Sequence, residues 1–127
     1  MGRPWGATAQ WPAAVGWAAI SLHAWYTALE TLSERIVTSI DRIKPEGPQW
    51  HTDLLAQAAT AVPKHRPALI PETALGGLRD LRKFRHFFRN AYVVMFDPML
   101  VERQVLLLLR LHPVIAASIR EFDSFLS

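Results

Sequence analysis

Between Leu78 and Tyr92 the sequence reads Leu-Arg-Asp-Leu-Arg-Lys-Phe-Arg-His-Phe-Phe-Arg-Asn-Ala-Tyr, and several residue types in it suit chemistry on a phosphodiester. The planar guanidinium forks of Arg82, Arg85 and Arg89 match phosphate oxygens in a bidentate way. The imidazole of His86 titrates near neutral pH and can move a proton, whereas Asn90 and Tyr92 offer hydrogen bonds. At about 100° per residue, Leu81, Phe84, Phe88, Ala91 and Met95 share one apolar stripe, the core side of a helix. Arg82, His86 and Arg89 lie nearly opposite that stripe, with Arg85 and Tyr92 along one border and Asn90 along the other. Such a face is a phosphate-binding surface; on charge alone, a solvated basic face reads the same way.

The elements that must position this segment are all helical. Leu22, Trp25, Tyr26, Leu29, Leu32, Ile36, Val37, Ile40 and Ile43 recur at three- and four-residue steps. This predicts one long amphipathic helix, with Glu30, Glu34, Arg35 and Asp41 off the apolar stripe. Lys44-Pro45-Glu46-Gly47-Pro48 stops it. A short second helix is predicted over Gln49–Ala61, and the three prolines of Val62–Pro71 mark a loop. The third helix, which carries the basic face, starts near Glu72–Thr73 and runs to about Phe96. Asp97-Pro98 reads as an N-cap with proline at the first helical position of a fourth helix, in which Pro113 should introduce a kink or a split. The β-branched residues are scattered and no two-residue hairpin turn occurs. The pattern predicts an all-α protein, a four- or five-helix antiparallel bundle, with residues 1–10 as a flexible lead-in and 11–127 as a single helical domain.

Bulk properties bound the function. At 127 residues, half of them apolar and a fifth charged, the chain suits one globular domain. The net charge of +3 fits a polyanionic partner but is small enough that its placement matters more than its size. With no cysteine there is no disulfide framework and no thiolate chemistry, and the chain reads as cytoplasmic. Pro4 to Leu29 carries no formal charge, which raises a membrane-associated reading. The mean hydropathy of Trp11–Leu29 is only roughly 0.9, low for a spanning helix, and a buried bundle helix with no membrane role is the better reading. His23, within the first apolar stripe, reads as a core histidine, and His65 and His112 show no metal-ligand spacing, so neither a metal nor another cofactor is expected. Gly76-Gly77 lacks the preceding strand that a phosphate-cradling loop requires.

The same segment resembles a known family. HEPN domains carry an Arg, a polar residue after it, and a His about four to six positions beyond the Arg; their HepT branch adds a Tyr two residues past that His. Here Arg85 and His86 fit the first two positions, Asn90 stands at the position of the His, and Tyr92 at that of the Tyr. The run Leu81–Tyr92 looks like that of HepT-like ribonuclease toxins, and Trp50-His51 with Leu54-Leu55 looks like a segment common upstream in that branch. The similarity spans roughly Ser21 to Leu126.

The resemblance implies the toxin of a prokaryotic toxin-antitoxin system: a homodimeric, metal-independent endoribonuclease in which the RNA 2′-OH attacks the adjacent phosphate. Its partner would be a nucleotidyltransferase-type antitoxin. By the same resemblance Arg85 would hold the scissile phosphate, Arg82 and Arg89 would bind RNA, and Tyr92 would be the AMP-accepting residue. Asn90 departs from the pattern, because an amide exchanges no proton near pH 7 and loss of a general acid or base costs about two to four orders of magnitude in rate. His86, one turn before Asn90, or His51 from the second helix would have to take over proton transfer. The alternative is a catalytically disabled HEPN module that binds RNA or the antitoxin.

Overall fold

The computed structural model describes residues 11–90 and 98–127, with the side chains of all of these except 11–13, 15 and 85–90. Four α-helices account for most of the described residues, and among these there is no β-strand beyond one isolated bridge. The first, α1, covers Trp11–Ile36 and runs on as a π-helical turn over Val37–Asp41. Its buried residues Ala19, Leu22, Tyr26, Leu29, Ser33 and Ile36 fall at three- and four-residue steps, the spacing that faces one side of a helix to the core. Arg42 ends the helix in the left-handed conformation (φ 62°), before Pro45 is reached. The predicted stripe is therefore too long by two residues, and Ile43 is 71% exposed instead of buried.

Helix α2 spans Trp50–Ala58, three residues shorter at its C-terminus than its pattern predicts. Gly47, at φ +94°, makes the turn that leads into it, and its carbonyl accepts the Trp50 N–H at 3.2 Å. The proline-rich loop that follows is tied down by backbone bonds. Val62 and Arg66 pair as an antiparallel bridge around Lys64, itself at φ 71°, and Leu69 donates its N–H to the Ala58 carbonyl at 2.9 Å. A 3₁₀ turn over Glu72–Ala74 leads into α3, Leu75–Asn90. The predicted continuation of α3 to Phe96, and Asp97 as an N-cap, lie outside the described residues.

Helix α4 covers Pro98–Leu126 and begins at the proline whose fixed φ suits a first helical position. The expected split at Pro113 does not occur: α4 is one helix with Pro113 inside it. Pro113 and Leu109, whose carbonyl loses its usual partner, are both exposed, so the orphaned group faces solvent, where its cost is low.

The core joins Leu22, Tyr26 and Leu29 of α1 to Leu55 of α2, Leu78, Leu81 and Phe84 of α3, and Val101, Leu111 and Ile115 of α4. Each such side chain contributes roughly 1.5–3 kcal/mol on burial. Leu81 and Phe84 thus occupy the core stripe that the sequence assigns to them. At Gly77 the third helix packs tightly against leucines of the fourth. A Cβ there would stand 3.0 Å from both δ-methyls of Leu111 and 3.2 Å from Leu107 Cδ1. Among the described residues no helix is long and apolar enough to cross a membrane.

A buried ion pair fixes the end of α1. The Arg66 side chain is fully buried, with Nε 2.6 Å from Asp41 Oδ1 and Nη2 2.8 Å from Oδ2. Its remaining donors reach the Pro67 and Gln57 carbonyls, each at 3.0 Å, and the Gln57 amide donates to Asp41 Oδ2 at 2.8 Å. Hydrogen bonding from Arg66, foremost, holds the Asp41 carboxyl below the usual carboxylate range, against the opposing effect of burial.

Candidate functional site

The basic segment lies on one uninterrupted element. Arg82, Arg85, His86, Arg89 and Asn90 all fall within α3, so the helical spacing that the sequence assigns to them exists in the backbone up to Asn90. The side chains at 85–90 lie outside the described set, and Tyr92 lies outside the described residues altogether. Arg82 is half-buried and borders a cleft between α1, α2 and α3. That cleft is lined by Tyr26, Thr52, Leu55, Leu75, Arg79 and Arg82. Arg79, one turn before Arg82, is thus a second guanidinium on the same rim. It carries the same i, i+3 spacing as Arg82 and Arg85, a signal already present in the sequence.

Thr52 in the first turn of α2 borders this cleft, and His51 precedes it. His51 Nδ1 lies 2.7 Å from Glu30 Oε2, and the Glu30 residue is only 7% exposed. The expectation that Glu30 lies off the buried face of α1 is therefore corrected. It belongs to the row Tyr26, Glu30, Ser33 and Val37, four residues at three- and four-residue steps that are all buried. A carboxylate in that row must find a donor, and His51 supplies one. The imidazole is stacked on Trp50, with ring centroids 3.6 Å apart and planes inclined by 30°. Trp50 in turn receives the Lys44 ammonium 5.8 Å from its ring centroid, and Lys44 reaches Glu34 at 3.4 Å.

The remaining histidines with described partners serve elsewhere. His112 on α4 accepts the Trp25 indole N–H at Nδ1, 3.1 Å away, beside an apolar groove between α1 and α4. His65 stands exposed in the loop after α2, on the rim of a hollow whose lining includes Ile40, Ile43, Val62, Asp41 and Gln57. Among the described residues no three His, Asp or Glu side chains converge to hold a metal ion.

Chemically, the cleft offers two guanidinium groups for an anion, and the first turn of α2 carries, at His51, an imidazole hydrogen-bonded to a carboxylate. The family model that matches the chain is that of the HepT-like proteins, over residues 18–126. The match takes in all of α2, α3 and α4 and most of α1. No curated protein and no solved structure matches the chain. With that match covering most of its length and an all-helical bundle to accommodate it, the chain belongs to the HepT-like family of HEPN-type domains.

Proposed function

We propose that this protein is the toxin of a prokaryotic toxin-antitoxin pair, a metal-independent endoribonuclease that cuts RNA by attack of a 2′-hydroxyl on the adjacent phosphate. The observation that carries this reading is the concentration of Arg82, Arg85, His86, Arg89 and Asn90 on one unbroken helix inside the family match. Arg85 holds the scissile phosphate and stabilises the charge that develops on it, while Arg82 and Arg89 engage neighbouring phosphates. Two protomers bring their third helices to one RNA. Tyr92 accepts AMP from a nucleotidyltransferase-type antitoxin, which silences the site.

Cleavage of a defined single-stranded RNA by the purified protein in excess chelator tests the activity. Wild type is expected to cut, and Arg85→Ala to lose about 10²–10³-fold in rate. A dimeric wild type that leaves RNA intact, and that is as harmless in cells as Arg85→Ala, sinks the reading. Asn90 favours one second reading, in which the module binds RNA or its partner without cutting. That reading requires salt-sensitive RNA binding by wild type and cleavage that appears only in Asn90→His.

A further inference from the structure

The hydrogen bond between His51 and Glu30 has a direction. A carboxylate only accepts, so Nδ1 carries the proton and the lone pair of the neutral ring sits on Nε2. Among the described residues Nε2 has no hydrogen-bond partner, and the side chain retains 22% exposure. The ring is thus held at one nitrogen by a buried carboxylate, held at one face by Trp50, and left with one basic nitrogen to offer. That combination orients an imidazole and stabilises the imidazolium formed when it takes a proton. Two other histidines are placed differently: His112 uses Nδ1 as an acceptor for an indole, and His65 stands exposed in its loop.

Position adds to orientation. Thr52, the next residue after His51, shares its cleft with Arg79 and Arg82, which precede Arg85 by six and three residues on α3. The amide of Asn90 provides no exchangeable proton for base catalysis near neutral pH, so the reaction needs another group to supply that step.

We infer that His51, positioned by Glu30, is the general base for RNA cleavage beside this cleft. The inference rests on the ribonuclease reading above. In the step, Nε2 takes the proton of the 2′-hydroxyl as the bond between the 2′-oxygen and phosphorus forms. The bond from phosphorus to the 5′-oxygen breaks, and that oxygen leaves as a hydroxyl with a proton drawn from water. The imidazolium then returns its proton to solvent, and the products are a 2′,3′-cyclic phosphate and a 5′-hydroxyl end. His51 touches the reacting hydroxyl and is the catalytic residue; Glu30 acts through His51 and is a positioning residue.

The test is single-turnover cleavage of one RNA by wild type, Arg85→Ala, His51→Asn, His51→Ala and Glu30→Gln, with binding measured on an uncleavable 2′-deoxy analogue and rates followed from pH 5 to 9. His51→Asn keeps an amide N–H for Glu30 but has no titratable nitrogen, so it separates structure from catalysis. The expected result is a loss of about 100-fold or more in His51→Asn and His51→Ala alike, at unchanged analogue affinity. The acid limb of the wild-type pH profile should vanish in both, and Glu30→Gln should show a smaller loss with the limb retained. Rescue of the rate by Asn at position 51, or a wild-type acid limb that survives there, overturns the inference while cleavage by wild type and loss in Arg85→Ala leave the ribonuclease reading standing. A wild type that cuts nothing overturns both.

Discussion

Two buried carboxylates on the same helical arm, Glu30 and Asp41, are partnered in opposite ways. Asp41 meets an arginine whose every donor-bearing nitrogen is committed: Nε and Nη2 to the carboxylate, Nη1 to the Pro67 carbonyl, and Nη2 again to Gln57. Four of the five guanidinium N–H groups are tied up in these bonds, and the pair fastens the end of α1 to α2 and to the proline-rich loop. Glu30 meets a histidine that commits one nitrogen of two. The first arrangement is structural, whereas the second leaves one ring nitrogen of His51 uncommitted among the described residues. Burial of charge by itself separates neither case; the tally of unused donors and acceptors does.

The comparison can be broken first at its structural end. Asp41→Ala leaves the Arg66 guanidinium buried without a counter-charge and should cost about 3–5 kcal/mol in chemical denaturation. If the clamp is only structural, joint replacement by Asp41→Leu and Arg66→Met should recover much of that loss and leave RNA cleavage unchanged. The catalytic end comes next, with the losses predicted above for His51→Asn and Arg85→Ala read on rate at nearly unchanged melting temperature. Acid should separate the two sites further. Because the folded-state pKa of Asp41 is depressed, its contribution is complete above the unfolded value near pH 4 and is lost as the pH falls through the lowered folded value. Unfolding free energy measured below about pH 4 should therefore fall more steeply in wild type than in Asp41→Asn. The smallest effects belong to contacts at the surface. Trp25→Phe removes the indole donor to His112 and should cost about 1 kcal/mol, and Lys44→Ala, at a half-exposed pair with Glu34, should stay within about 0.5 kcal/mol.

The helical framework was legible because periodicity is local. The stripes through Leu22, Tyr26 and Leu29, and through Leu81 and Phe84, depend on the residues' own spacing, and the structure buries them. Helix ends were less legible, since Arg42 halts α1 by adopting a left-handed conformation that its side chain does not advertise. Of the kink or split expected at Pro113 the split does not occur, because the cost of a proline inside a helix depends on whether the freed carbonyl is exposed. Of the candidate site, the register of Arg82 to Asn90 on one helix was legible and its surroundings were not. Arg66 sits in a loop 25 residues from Asp41, and His51 lies 21 residues from Glu30. Such pairings depend on how the chain returns on itself, which no short window of sequence records. Glu30 did leave a trace, in the row it shares with Tyr26, Ser33 and Val37.

The close approach at Gly77 sets a fulcrum. From there the third helix extends thirteen residues to Asn90, about 20 Å at 1.5 Å per residue. A tilt of about 5° at the crossing would sweep the far end of the lever through roughly 1.7 Å. Displacements of that order spoil proton transfer and phosphate alignment without disturbing a single side chain near the reacting bond. The hydrogen at Gly77 thus sets how closely α4 packs at the foot of the helix that carries the basic segment.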